Sequence, residues 1–335
     1  MRGMNVLVTG AGGYVGSVLV KKLLQRGYFV RALDLFMYDR EPFREIPFHL
    51  HKRLEILKGD IRKHGICEFA TDDIDCIIHL GCISNDPGCD LNPELARSIN
   101  LDSFKPFVMT AKRNGVSRFI NASSSSVYGV SNEPNITEES KTEPLTDYSR
   151  FKLETENILL EFEGPHFTTT SIRSATVCGY SPRQRLDVIV NILTSHAYNK
   201  SEINVFGGPQ KRPNVHIDDI TNLYTRLVEW PAKDITGEVF NFGGPNYTVD
   251  EIADMVKDYF NRRNRKIKIR HQETNDPRSY HISSDKIRHK LGLAPQKTIT
   301  DAIGDLVNAF DNKLIPNYTD SKYYNVRKLK ELNLK

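Results

Sequence analysis

Thr9-Gly10-Ala11-Gly12-Gly13-Tyr14-Val15-Gly16 joins a short β-branched run at residues 6–8 to a helical pattern at residues 17–26. The helix carries Val18, Leu19, Leu23 and Leu24 on one side and is closed by Gly27. Gly10 permits a tight turn, Gly13 lets the backbone come close to a ligand, and Gly16 allows the helix to pack tightly on the strand. The helix then presents unpaired N–H groups and the positive end of its dipole to whatever the turn holds, which suits phosphate. Glycines that served only a turn would need neither the strand before them nor the helix after, so the context favours a dinucleotide pyrophosphate. Tyr14 and Val15, between the glycines, belong to the same candidate site.

Outward from this turn, the first half alternates strands and helices. Strands are expected over 29–33, 54–58, 76–80, 118–122 and 168–173, and helices over 98–114 and 148–162. Such alternation predicts an α/β chain built on a Rossmann-type doubly wound parallel sheet with right-handed crossovers. After Ala175 the alternation breaks into loops rich in Pro, Gly and Arg, followed by helices at 249–260 and 299–310 around a strand-like 266–270. Residues 1–175 therefore read as a nucleotide-binding domain, with 213–240 returning to it. Residues 176–335 read mainly as a smaller, mixed α/β substrate domain.

The totals exclude several classes. Against 46 basic residues stand 42 acidic ones, and the excess of +4 is spread along the chain. Nucleic acid is not the partner this favours; a small anionic molecule fits it better. No apolar run approaches the ~18 residues of a membrane span, and the start of the chain lacks the pattern of a secretory leader. Five cysteines form no C-x-x-C pair, which suits a reduced, cytoplasmic protein without a metal.

Asp34 falls 18 residues after Gly16, at the end of the second predicted strand. A carboxylate there accepts hydrogen bonds from ribose hydroxyls and repels a 2′-phosphate, which favours NAD over NADP. Asp60 and Ile61, ending the third strand, are candidates for the adenine side, although a turn aspartate would explain Asp60 equally well. Tyr148-Ser-Arg-Phe-Lys152 places a phenol and an ammonium four residues apart, on one helix face. Tyrosine ionises near pH 10, so use as a base at neutrality needs a shift of about 3 units, or ~4 kcal/mol. A cation ~4 Å away at an effective dielectric near 20 supplies about that much, with an oxidised nicotinamide and the helix N-terminus adding to it.

Together with Ser123-Ser-Ser-Ser-Val-Tyr-Gly129, these motifs resemble the extended short-chain dehydrogenase/reductase family, in its nucleotide-sugar epimerase and dehydratase branch. The resemblance extends to Arg212-Pro-Asn-Val-His-Ile-Asp-Asp219 and Asn241-Phe-Gly-Gly244. It implies an enzyme on a nucleotide-diphosphate sugar, with NAD as cofactor and a homodimeric assembly. Ser124 would hydrogen-bond the reacting sugar hydroxyl, Tyr148 would exchange its proton, and Lys152 would also hold the nicotinamide ribose. Asn100 matches a position beside the cofactor. Arg212 matches an arginine on the substrate diphosphate, and Arg278 resembles the second arginine of the nucleotide site. Ser125, Ser126, Thr176, Arg183, Arg185 and Asn191 complete the substrate-contact candidates, against the alternative that the two loop arginines are merely solvated.

Within that branch the 4,6-dehydratases carry an Asp-Glu pair where this chain has Ser125 and Ser126, and a hydroxyl lacks the pKa for that acid–base work. The 3,5-epimerase relatives use a cysteine at the place of Ser126, also absent; Cys178 reads as a buried apolar cysteine. A 4-epimerase working through a 4-keto intermediate is the first expectation, and a 4-dehydrogenase is the alternative. The stretch from Ser174 to Asn191 resembles a subgroup containing GDP-heptose 4-dehydrogenases, whereas UDP-galactose 4-epimerases carry a different pattern after the arginine at 173. An NADPH-dependent keto-sugar reductase is opposed by Asp34, and a non-catalytic binding protein by the survival of Ser124, Tyr148 and Lys152 together.

Overall fold

The computed structural model describes residues 3–39, 41–131, 133, 135–273, 279 and 281–333. β1 (Asn5–Thr9) leads through the glycine turn into α1 (Tyr14–Gln25), followed by β2 (Phe29–Asp34) and β3 (Leu54–Lys58). α2 (His64–Thr71) returns the chain to β4 (Cys76–His79). α3 (Asp86–Cys89), α4 (Pro93–Arg97), a π-helical turn at Ser98–Asp102 and α5 (Phe104–Arg113) precede β5 (Arg118–Ser124). α6 (Asp147–Leu160) leads to β6 (Thr168–Ser174) and the short β7 (Thr176–Cys178). Then come α7 (Ile189–Lys200), β8 (Glu202–Phe206), β9 (Lys211–His216), α8 (Ile217–Leu227), α9 (Ala232–Ile235), β10 (Glu238–Phe242) and β11 (Asn246–Thr248). α10 (Val249–Asn261), β12 (Lys268–Gln272), α11 (Asp285–Leu291), α12 (Ile299–Asp311) and α13 (Asn325–Glu331) complete the order.

Seven strands form one parallel sheet in the order β10-β6-β5-β4-β1-β2-β3. The chain runs β1, β2, β3 toward one edge and then crosses to β4 on the other side of β1. That reversal opens a crevice beyond the carboxyl ends of β1 and β4, where open α/β sheets bind ligands. Val6, Val8 and Ile78 pack on the face covered by α1 and α8, while Leu7 and Ile77 face Phe104, Phe107 and Phe119 on the other. Burial on both faces suits parallel strands of near-continuous apolar character. A separate apolar core lies among α7, α10, α12 and β8, around Leu193, Val205, Val256, Phe260 and Ile303. Beside it, β11, β9 and β7 form a three-stranded sheet, and β12 pairs with β8.

Two local readings are corrected. The continuous helix expected over 98–114 begins as the π-helical turn, and its regular part starts at Phe104. The strand expected at 266–270 lies at Lys268–Gln272 and pairs in parallel with β8. The loop at 181–186 is packed inside: Ser181, Arg183, Gln184 and Leu186 are all buried. No helix among the described residues is long and apolar enough to cross a membrane.

Candidate active site in the sheet crevice

The crevice is a cleft of about 600 Å³, within the range of small-molecule sites. Its floor is the glycine turn, where Gly10 has φ +68° and a Cβ on it would lie 2.8 Å from the Gly81 nitrogen after β4. A Cβ on Gly16 would lie 2.3 Å from the Gly10 carbonyl oxygen. The tight turn and the close helix–strand approach are thus both physical requirements. Gly13, Tyr14 and Val15 line the cleft as well. Asp34, at the tip of β2, accepts the Gly12 N–H at 3.0 Å and the Phe36 N–H at 2.7 Å, which ties its carboxylate to the turn. Burial raises its pKa, and those two N–H groups oppose the rise. Asp60 and Ile61 line the same end, with the Asp60 carboxylate held by Arg62 at 2.6 Å and its pKa lowered by that hydrogen bond. A glycine floor, a helix N-terminus and a carboxylate at the second strand fit a dinucleotide.

α6 delivers the tyrosine and the lysine. Thr146 caps its N-terminus in a reciprocal pair with Ser149, and Thr146 Oγ1 also donates to Asp86 in the loop after β4. Such caps fix where a helix starts, and Tyr148 stands in the first turn. Burial, with Cys82 and Asp86 nearby, pushes the Tyr148 phenol well above its ordinary pKa, while a hydrogen bond with Ser124 pulls it back. Ser124 Oγ also accepts from the Ser126 N–H at 3.2 Å and from Ser126 Oγ at 3.0 Å. Lys152 Nζ lies 5.8 Å from the Tyr148 ring centroid and donates to the Ala122 carbonyl at 2.6 Å. The ammonium is thus turned to the strand backbone.

Beneath Lys152 sits His79, buried among Phe104, Phe107 and Phe119 and bonded to Thr9 Oγ1 at 2.8 Å. Burial first, and the Lys152 charge second, push its pKa down to about 3. Since an unfolded histidine protonates near pH 6.5 and this one does not, stability is full above about 6.5 and falls as the pH drops toward 3. The expected slope is about 1.4 kcal/mol per pH unit. Urea unfolding between pH 7 and 5, above the carboxylate range, is expected to show it, with a shallower slope for His79→Phe. Equal slopes would remove His79 as the cause.

Of the remaining candidates, Ser125, Ser126, Thr176, Arg183, Arg185 and Arg212 line the cleft. Asn100 lies behind the wall: its amide grips both the N–H and the carbonyl of Ile83, at 2.8 and 3.0 Å, and so holds the loop after β4. Asn191 is fully buried and sits outside the lining. Its side chain bonds the N–H and carbonyl of Gly179, the Tyr14 hydroxyl and the Arg185 carbonyl, which makes it a buried tie between loop and helix. Arg278 falls outside the described residues. Arg185 pairs with Asp187 at 2.8 Å. Neither loop arginine is solvated: Arg183 and Arg185 are both enclosed in the wall. Cys178 is buried and its thiol is pushed up to about 12 by that burial.

Sequence reasoning missed Ser84, Asn85 and Asp86, which line the cleft beside Tyr148, and Asn325, which reaches it from the C-terminal segment. The rule that ligands sit beyond strand ends would have singled out the loop after β4; no local signal announces Asn325. Phe206, Gln210 and Val249 form the far end with Arg212. Outside the cleft, His216, Asp218 and Asp305 bring three possible metal ligands together. His216 Nδ1 accepts the Asp218 N–H at 3.1 Å, His216 Nε2 faces Asp305 at 3.1 Å, and Lys22 pairs with Asp218 at 2.8 Å.

Over residues 6–243 the chain matches the family model described as the NAD dependent epimerase/dehydratase family. The uncharacterized protein y4nG of Sinorhizobium fredii is 29% identical over 298 residues, 86% of this chain and 67% of its own. UDP-glucuronic acid decarboxylase 1 of Arabidopsis thaliana is 26% identical over 324 residues, 93% of this chain and 71% of its own. The solved UDP-glucuronic acid 4-epimerase of Bacillus cereus, in complex with UDP-glucuronic acid and NAD, has a TM-score of 0.80 at 24% identity. The match covers 92% of this chain and 99% of that one, a likeness of fold.

Proposed function

Because the chain belongs to the NAD dependent epimerase/dehydratase family, we propose that it is a nucleotide-sugar 4-epimerase acting through a 4-keto intermediate. Bound NAD supplies the reversible hydride acceptor. Ser124 holds the 4-hydroxyl, and Tyr148 takes its proton as the C4–H bond is given up, then returns a proton when the ketone is reduced on the opposite face. Lys152, fixed on the Ala122 carbonyl, holds the ribose beside that tyrosine and keeps a positive charge under the cleft. Arg212, at the far end of the cleft, pairs with the substrate diphosphate.

The observation that carries the reading is the serine cluster. Ser124 hydrogen-bonds Tyr148, while Ser125 and Ser126 occupy the adjacent wall as neutral hydroxyls. With no carboxyl pair at 125 and 126 to remove the C5 proton and expel a C6 hydroxyl, dehydration is disfavoured, which leaves reduction back to an alcohol as the fate we assign to the 4-keto sugar. The second reading, a 4-dehydrogenase that releases the ketone, shares every residue and differs only in what leaves the cleft.

The test is a panel of UDP-, GDP-, CDP- and dTDP-sugars, neutral and uronic, deuterated at C4 and incubated without an external oxidant. An epimer that keeps its deuterium at C4 is the expected product. Accumulation of a 4-keto sugar or of a decarboxylated pentose, with no epimer, would overturn the proposal. Replacing Asp34 with alanine is expected to weaken NAD on the order of 10- to 100-fold, the worth of one charge-assisted contact, and to improve NADP relative to NAD. Unchanged preference in a fluorescence titration would clear Asp34 of that role.

A further inference from the structure

Arg183 is a buried cation whose nearest acidic neighbours, Asp187 and Asp34, stand off from it. It is 3% exposed, and no carboxylate among the described residues lies within ion-pair distance of it. Its Nε is buried with no hydrogen-bond partner. The other two cleft arginines differ: Arg185 has Asp187 at 2.8 Å, and Arg212 lies at the half-exposed far end. A guanidinium taken out of water needs an anion to offset the desolvation, and the cleft that Arg183 lines is where one can enter.

Its position decides which anion. The guanidinium carbon stacks 3.9 Å from the centroid of Tyr38, four residues beyond Asp34 on the β2 side of the cleft. Two residues earlier, Ser181 Oγ donates to the Tyr14 carbonyl at 2.7 Å and meets Ser17 Oγ at 2.8 Å, which seats this loop on the first turn of α1. Arg183 is therefore on the side of the glycine turn and Asp34, whereas Phe206, Gln210 and Arg212 form the opposite end. Asn325 holds it there: Asn325 Oδ1 accepts from Arg183 Nη2 at 2.6 Å, Asn325 Nδ2 reaches Ser84 Oγ at 3.2 Å, and its N–H reaches Asp187 at 2.8 Å. The C-terminal segment that carries Asn325 is itself anchored by buried Tyr323, Tyr324 and Leu329.

We propose that Arg183 is a cofactor-binding residue, not a substrate contact: its guanidinium, positioned by Asn325, pairs with the dinucleotide pyrophosphate opposite the N-terminus of α1. The C-terminal segment thereby clamps the cofactor. The inference rests on the cleft being the NAD site and on nothing about the reaction, so its failure would leave the product test above untouched.

Calorimetric titration of the full chain, freed of cofactor, separates the alternatives. Arg183→Met is expected to weaken ADP-ribose by about 10- to 100-fold, leaving adenosine, UDP and GDP unchanged, and Arg183→Lys is expected to recover part of the loss. Unaltered ADP-ribose affinity, or a loss confined to UDP or GDP, would overturn the assignment. Should Arg183→Met fail to fold, Asn325→Ala keeps the guanidinium but releases it. A several-fold loss of ADP-ribose affinity at an intact melting transition then supports the clamp, and no loss refutes it.

Discussion

Tyr148→Phe is expected to keep NAD bound and to lower turnover by about 10²- to 10⁴-fold, the usual worth of a positioned acid–base group. The substitution removes one oxygen from a ring otherwise packed against the apolar cluster that contains Ile83 and Phe151, so the fold has little reason to change. What it removes is the atom that shares a hydrogen bond with Ser124. Burial raises that phenol's pKa, and the Lys152 ammonium is committed to the Ala122 carbonyl at 2.6 Å. The protein alone therefore keeps Tyr148 protonated at neutral pH. The charge that makes it a base must come with the ligands, which couples proton removal to an occupied cleft. Cofactor released on denaturation and the rate of epimer formation, measured on one preparation, check both halves of the expectation. Turnover within tenfold of the unaltered protein would take Tyr148 out of the mechanism. Ser124→Ala should follow the same pattern with a smaller loss, since it removes a positioning hydrogen bond and leaves the phenol in place.

The parts of this site legible in sequence are those whose geometry is local. A turn between strand and helix dictates where Gly10, Gly13 and Gly16 must stand, and the tip of the next strand places Asp34 beside them. Four-residue spacing puts Tyr148 and Lys152 on one face without knowledge of anything else in the fold. Asn325 reaches the cleft only because a tail more than 170 residues downstream of Lys152 folds back on the loop holding Arg183, and no periodicity encodes that. Asn191 shows the converse. It follows a polar, arginine-rich stretch that reads as a ligand-contact loop, yet it stands in the first turn of α7, where Gly179, Arg185 and Tyr14 take the amide's hydrogen bonds. The strand pair β8–β12 was half legible for a similar reason, because its partners are separated by three helices and three strands of other sheets.

Glu156→Ala is expected to destabilise the fold by about 3–5 kcal/mol, the cost of leaving a buried charge without its partner. Glu156 lies on α6 two turns beyond Tyr148, is 2% exposed, and meets Arg173 of β6 at 2.8 Å. Arg173 Nε donates to both Glu156 oxygens, at 3.1 and 3.2 Å, and Arg173 Nη1 donates to the Tyr128 hydroxyl at 2.8 Å. Tyr128 in turn donates to Asn241 of β10 at 2.8 Å, and Ser123 of the serine strand donates to Glu156. One carboxylate thus joins the tyrosine helix, the serine strand and the two outermost strands on that side of the sheet. Its removal leaves the guanidinium with Tyr128 and the Glu138 carbonyl but, among the described residues, no carboxylate at ion-pair distance, which is why the penalty exceeds that of an exposed pair. Glu156→Met with Arg173→Leu removes both charges and should recover most of the loss, as an apolar pair of similar volume is tolerated where a single buried charge is not. If the network serves only stability, the double variant will also recover activity. If it aims Ser124 at Tyr148, urea unfolding will show the fold restored while turnover stays low, because Ser123, its immediate neighbour, has lost the carboxylate that holds it. A single variant within about 1 kcal/mol of the parent would mean that the pair is not the tie between helix and sheet that its geometry implies.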